Sequence, residues 1–232
     1  MTKVAIFIDG GYFLKRLPRL RRGLDAHNVD HVTEAIRELI KGHLCQINQT
    51  YGVCNYWQLL HRAFYYDARP YTRSGHTPVQ GRAINYSQTS EAIFRNNLFE
   101  ALRRYPDLAL RLGEVRRNGN QPWQLKASSQ KQLLRGEREF SEIGDEDFVP
   151  TFRQKGVDMR IGLDIAWVAL RRHAQIIVLV SGDADFVPAA KLARREGIRF
   201  ILDSLGQHIS PDLSEHIDRR ANGFNNPDTG DG

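Results

Sequence analysis

The chain has 232 residues, with 33 lysines and arginines against 27 aspartates and glutamates, a formal charge of +6. An apolar fraction of 41% is enough for a real core and excludes wholesale disorder, and the length suits one large domain or one domain with elaborations. No apolar run approaches the roughly 20 residues of a membrane helix, the opening residues lack signal-peptide anatomy, and Cys45 and Cys54 are too few and wrongly spaced for a zinc site or a disulfide framework. The expectation is a soluble protein of a reducing compartment, the cytoplasm.

Of the 33 basic residues 26 are arginine, whose planar forks match phosphate oxygens two at a time. Contact with nucleic acid and an ordinary solvated basic surface account for this charge equally well.

Lys3 to Ile8 is an apolar run ending at Asp9-Gly10-Gly11, as a strand buried on both faces requires. From Asp30 onward Val32, Ile36, Leu39, Ile40, Leu44 and Ile47 follow helical spacing, with Asp30 available as a cap. Arg62 to Tyr66 reads as a second strand ending at Asp67. Arg69 to Ser87, with Pro70, Gly75, Pro78 and Gly81, has no clear period and reads as a long loop. Glu91 to Arg104 is a helix stopped by Pro106, and Leu108 to Val115 a strand; Arg116 to Pro150 is polar and weakly patterned, with Trp123 as its main apolar anchor. Met159 to Leu170 is apolar on nearly every side, the pattern of a buried helix. Ile176 to Val180 reads as a central strand followed by Ser181-Gly182-Asp183-Ala184-Asp185. A helix over Phe186 to Arg195 ends at Gly197, and Ile198 to Leu202 is a strand ending at Asp203. The predicted organisation is one α/β domain over 1–218 with a mostly parallel sheet flanked by helices. It carries inserted segments at about 69–87 and 116–150 and a flexible tail at 219–232.

In open α/β sheets ligands sit beyond the carboxyl ends of the strands. Asp9 follows the first strand, Asp183 and Asp185 follow the Ile176–Val180 strand, and Asp158 opens the apolar helix. If those strands are neighbours, several carboxylates converge on one edge, which costs free energy unless a cation neutralises them. Oxygen ligands without His or Cys favour Mg²⁺ or Mn²⁺. Taken singly, each acid has a plainer explanation: Asp9 as a turn residue, Asp158 and Asp185 as N-caps. Asp164, six residues past Asp158, falls on another helix face and suits either helix packing or support of the residues that hold a ligand, and Asp203 ranks below the others.

Three stretches, Phe7-Ile8-Asp9-Gly10-Gly11-Tyr12, Gln154-Lys155-Gly156-Val157-Asp158 and Val180-Ser181-Gly182-Asp183-Ala184-Asp185-Phe186-Val187-Pro188, resemble the NYN domain family, in particular its LabA-like branch, across about Lys3 to Asp218. Tyr12 stands where many members carry Asn. The resemblance implies a PIN-like, Rossmann-like parallel sheet with an acidic cluster at the carboxyl edge of its strands. It also implies metal-dependent cleavage of RNA, with Asp9, Asp158, Asp183 and Asp185 as the acidic positions holding one or two Mg²⁺ or Mn²⁺ ions. Ser181 is then a candidate for contact with phosphate or a metal-bound water, equally explained by turn chemistry, and Lys155 a candidate phosphate contact or a solvated charge. Arg69, Arg73 and Arg82, interleaved with Tyr71 and Tyr86, suit a single-stranded substrate by charge and stacking. Two alternatives stand beside this reading: a nucleic-acid-binding module with little turnover, and an enzyme acting on a nucleotide or nucleotide-sugar through its Asp-x-Asp turn. Endo- or exonucleolytic cutting, DNA as substrate, and a monomer or homo-oligomer are all left open by the sequence.

Overall fold

The computed structural model describes residues 2–21 and 23–224. Strand β1 (Val4–Asp9) is buried until its last residue and runs directly into α1 (Gly10–Leu20). Helix α2 (Val29–Tyr51) is capped by Asn28, whose side chain accepts the amides of Asp30 and His31. Asp30, expected as the cap, therefore lies inside the first turn, where an acid suits the helix dipole. Strand β2 (Leu60–Arg69) follows. The 69–87 stretch, expected as a loop, contains an antiparallel hairpin of β3 (Ser74–His76) and β4 (Ala83–Asn85). Strands of three residues are too short to show an alternation in sequence.

Helix α3 (Ser90–Arg103) and strand β5 (Leu108–Arg117) form where the pattern placed them. The weakly patterned stretch beyond holds β6 (Trp123–Leu125), α4 (Ala127–Leu134) and β7 (Phe148–Pro150), with β6 and β7 paired. The chain continues through β8 (Phe152–Lys155), α5 (Val157–Leu170), β9 (Ile176–Val180), α6 (Val187–Arg195), β10 (Arg199–Asp203), α7 (Pro211–Glu215) and β11 (Arg219–Arg220).

Seven strands form one sheet in the order β11-β10-β9-β1-β2-β5-β8, parallel except at β8, which runs against β5. Alternation along β1 divides the core. Val4, Ile6 and Ile8 pack with α1, α2 and α3 through residues such as Phe13, Ile36 and Leu98. Ala5 and Phe7 face α5, α6 and α7 through Ile161, Ile165, Ala190 and Leu213. Burial on both faces is why β1 and β9 are apolar without interruption.

Two expectations change here. Helix α5 buries Ile161, Ile165 and Val168 but leaves Met159, Leu163, Trp167 and Leu170 between 53% and 71% exposed. One sheet face can cover only one side of an outer-layer helix, and the apolar pattern alone does not reveal what lies against the other. The stretch after Asp218, expected as a tail, is docked over residues 219–224. β11 pairs with β10, the Gly223 amide donates to Asp203, and the Phe224 ring lies 6.4 Å from that of Phe13. The rest of that expected tail, 225–232, lies outside the described residues. No helix among the described residues is long and apolar enough to cross a membrane.

Candidate active site

Strands β1 and β9 are neighbours, with Ile8 opposite Val180, so the turns that follow them open side by side at the carboxyl edge. Asp9 caps α1, its Oδ1 accepting the Tyr12 amide at 3.0 Å. Ser181 is fully buried; its Oγ donates to Asp9 Oδ2 at 3.4 Å and accepts the Asp183 amide at 3.3 Å. Asp183 Oδ1 in turn accepts the Asp185 amide at 3.0 Å. One chain of hydrogen bonds thus links the two turns and fixes the aspartates they carry. Orientation of Asp9 comes from the backbone at position 12, whose side chain serves elsewhere: the Tyr12 hydroxyl donates to the Ser204 carbonyl at 2.5 Å. Glycine at 182 is required by this packing, since a Cβ there would sit 2.9 Å from the Tyr12 hydroxyl.

Asp158 arrives from the other side. Its helix α5 is entered through Gly156 in the left-handed conformation, φ 78°, with no side-chain cap. Asp158 and Asp185, each of which the sequence allows as an N-cap, cap nothing; the caps are Asp9 and Asp183. Helix α5 packs against the Ala184–Phe186 turn. A Cβ on Gly11 would lie 3.5 Å both from Asp9 Oδ1 and from the Gln154 amide nitrogen, which places Gln154 beside the first turn.

Charge ties the four acids together. Burial, opposed by the Tyr12 amide and then reinforced by the charges of Asp158 and Asp67, pushes the Asp9 pKa up to about 6. Asp158 is raised by burial and then by Asp183 and Asp185. Among the described residues the trio of acidic, His or Cys donors gathered within 4.8 Å is Asp212 and Glu215 of the five-residue α7 with His216 just past its end, not three of these four aspartates. The strand-edge acids are therefore in charge contact without forming a closed cage. Their donors are all hard carboxylate oxygens, and those of Asp158 and Asp185 accept no hydrogen bond among the described residues. Such a set fits an ion like Mg²⁺, which keeps several waters and uses few carboxylates.

The remaining residues singled out in the sequence are dispersed. Lys155 is exposed on β8, opposite Glu114 in register. Arg69 and Arg73 line a cavity of about 630 Å³ beside β5. Arg82 stands apart from them, paired with Asp145 at 3.1 Å, and Asp145 also accepts the amides of Val79 and Gln80. Asp164 accepts the buried Tyr66 hydroxyl at 2.7 Å and Arg111 Nε at 3.2 Å, tying α5 to β2 and β5. Asp203 is fully buried and accepts the amides of Leu205 and Gly223, both at 2.8 Å.

Asp67 is an acid of this edge that was read only as a strand end. It is fully buried at the close of β2, next to β1, and paired with Arg95 of α3. The strand-end rule that selected Asp9 was the available signal. The Tyr65 hydroxyl, buried without a hydrogen-bond partner, senses the charges of Asp67 and Asp9. Gly10 is where Tyr65 presses on α1: a Cβ there would meet its ring at 2.5 Å. A larger cavity of about 870 Å³ lies at the opposite edge of the sheet, by Ile176 and Arg199, and holds none of these acids.

An α/β protein with a mostly parallel sheet flanked by helices is what these elements define, and the carboxyl edge, where these aspartates lie, is where such sheets hold ligands. The family model of the NYN domain matches residues 95–220, more than half of the chain, and the chain belongs to that family, whose members are generally nucleases. The match includes Asp158, Asp183 and Asp185, whereas Asp9 and Arg69 to Arg82 precede it. No curated protein matches. Among solved structures, a protein of unknown function from Vibrio parahaemolyticus is similar at 14% identity and a TM-score of 0.44, over 95% of this chain and 91% of that one.

Proposed function

We propose that this protein is a metal-dependent ribonuclease of the LabA-like branch, with a PIN-like fold, hydrolysing phosphodiester bonds in single-stranded RNA in the cytoplasm. The domain includes the docked 219–224 segment, and the 69–87 and 116–150 segments set the substrate. The observation that carries this reading is the linkage of four acids from three separate elements at one sheet edge. Asp9 and Asp183 are joined through Ser181, and Asp158 feels the charges of both Asp183 and Asp185. So much negative charge repels nucleic acid unless a cation intervenes.

Asp9, Asp158, Asp183 and Asp185 would hold the Mg²⁺ or Mn²⁺ ion, which supplies a hydroxide nucleophile and a polarised phosphodiester. Ser181 fixes the carboxylate of Asp9 and the amide of Asp183 in one orientation, and its burial makes it a positioning residue. Lys155, exposed three residues before Asp158, and the arginines beside β5 give the anionic chain a path to the acids.

Labelled single-stranded RNA with Mn²⁺ or with chelator tests the reading. Cleavage that needs the metal and is lost in Asp183→Asn is expected. Cleavage that survives Asp183→Asn, or none under any divalent metal, overturns it.

A further inference from the structure

Two cavities meet at Tyr71. One, of about 380 Å³, is walled by Tyr71, Tyr86 and Phe152 together with Pro70 and Val115. Its three rings lie 5.3–5.4 Å apart, centroid to centroid, and Tyr86 stands edge-on to the other two. Tyr86 is 6% exposed, yet its hydroxyl has no hydrogen-bond partner. Tyr71 and Phe152 are only half-buried, which leaves ring surface open to the cavity.

The second cavity, of about 630 Å³, holds Arg69, Arg73, Arg116 and Arg117. Arg116 is paired with Glu114, whereas Arg69, Arg73 and Arg117 have no carboxylate partner among the described residues. The Arg117 guanidinium lies over the rings of Tyr86 and Trp123, at 5.7 and 5.1 Å, and its buried Nε has no partner. Gly75 of the hairpin makes room for it, since a Cβ there would come within 2.8 Å of that guanidinium.

We infer that these joined cavities form a nucleotide subsite for single-stranded nucleic acid, one unpaired base entering the Tyr71–Tyr86–Phe152 cavity and its phosphate meeting Arg69, Arg73 and Arg117. Flat apolar walls suit a planar heterocycle, and three guanidinium groups without a carboxylate partner suit a phosphate. A base inside a duplex is stacked and paired and cannot enter, so the subsite selects single strands. The base cavity also reaches the acids, for Gln154 lines it while lying beside the Asp9 turn, and Arg95, which lines it too, pairs with Asp67. The substrate class rests on the nuclease reading; the subsite itself is tested by binding.

The test measures anisotropy of a fluorescein-labelled oligouridylate of eight nucleotides, and of an abasic chain of the same length, in chelator. Wild type is expected to bind the base-bearing chain about tenfold more tightly. Tyr71→Ala loses that preference and Tyr71→Trp keeps it, while Arg73→Ala weakens both chains and lowers the salt slope by about one. Equal binding of the two chains by wild type overturns the subsite whatever the variants do, as does a preference that survives intact in Tyr71→Ala. Metal-dependent cleavage without base preference would sink the subsite alone. Base-dependent binding without cleavage under any metal would sink the nuclease reading alone.

Discussion

Ser181 and Asp9 stand at the ends of adjacent strands, and the buried hydroxyl of one donates to the carboxylate of the other at 3.4 Å. This bond and the Tyr12 amide favour ionised Asp9, but burial and two neighbouring acids outweigh them and raise its pKa from 3.8 to about 6. The fold therefore holds the proton more tightly than the unfolded chain does. The resulting stability is complete below about pH 4 and is lost as pH rises through 6. In chelator, the melting temperature of wild type should fall across that window. Asp9→Asn, which keeps the cap, should flatten the fall and gain about 1–3 kcal/mol at pH 7.5. Thermal melts over a pH series check this, and identical pH profiles for the two proteins would refute it.

Asp158 and Asp185 cap nothing, so replacing either by Asn removes charge without disturbing a turn. Both variants should melt in chelator at or above the wild-type temperature, because Asp158 is raised by burial and by its acidic neighbours. Both should also lose the rise in melting temperature that Mn²⁺ gives wild type. Asp183 differs because it caps the Ala184–Phe186 turn. Asp183→Ala should cost about 1 kcal/mol without metal and Asp183→Asn almost nothing. Parallel melts with and without Mn²⁺ distinguish these outcomes, and an Mn²⁺ shift retained by all three Asn variants would show that the ion is held elsewhere.

Strands β1, β2, β5, β9 and β10 and helices α2, α3, α5 and α6 were legible because their signals are local. The unbroken apolar runs of β1 and β9 state burial on both faces, and Asp9 and Asp183 follow those runs directly. The turn chemistry was legible only in part. Sequence shows that an acid precedes a helix but not which of two acids takes the cap, and the caps fell to Asp183 and Gly156 in place of Asp185 and Asp158. Asp67 went unnoticed as a site acid because its partner, Arg95, lies 28 residues further on, in another element. The aromatic cavity was hidden for the same reason, since Tyr71, Tyr86 and Phe152 come from three segments that only the fold gathers.

Asp164 lies on a helix face whose role the sequence leaves open between packing and support of the site, and its contacts are those of packing. It accepts the Tyr66 hydroxyl at 2.7 Å and Arg111 Nε at 3.2 Å, and Tyr66 is fully buried. Asp164→Ala leaves that hydroxyl buried and unpaired, which should cost about 1–3 kcal/mol. Tyr66→Phe removes the need for a partner, so Asp164→Ala should cost less in its background. Urea melts of the double-mutant cycle measure this coupling, and strict additivity would exclude it.

Asp203 has a structural employment that sets it apart from the acids of the site. Its two oxygens accept the amides of Leu205 and Gly223, and His43 Nε2 lies 2.9 Å from Oδ2, all out of solvent. It thereby holds the 219–224 segment against β10 and α2. The contact is close: a Cβ on Gly42 would come within 1.7 Å of the Gly223 carbonyl oxygen, a backbone atom with no rotamer to yield. Gly42→Ala should therefore displace this segment, and Asp203→Ala should destabilise the whole domain by about 2–4 kcal/mol, because two buried amides lose their acceptor. Hydrogen exchange reads the difference. Gly42→Ala should lose protection at the amides of Ala221 and Gly223, while those of β1 and β9 stay protected and the Mn²⁺ shift persists. Unchanged protection at Gly223 would mean that α2 moves instead, and that the segment is held by more than its fit against Gly42.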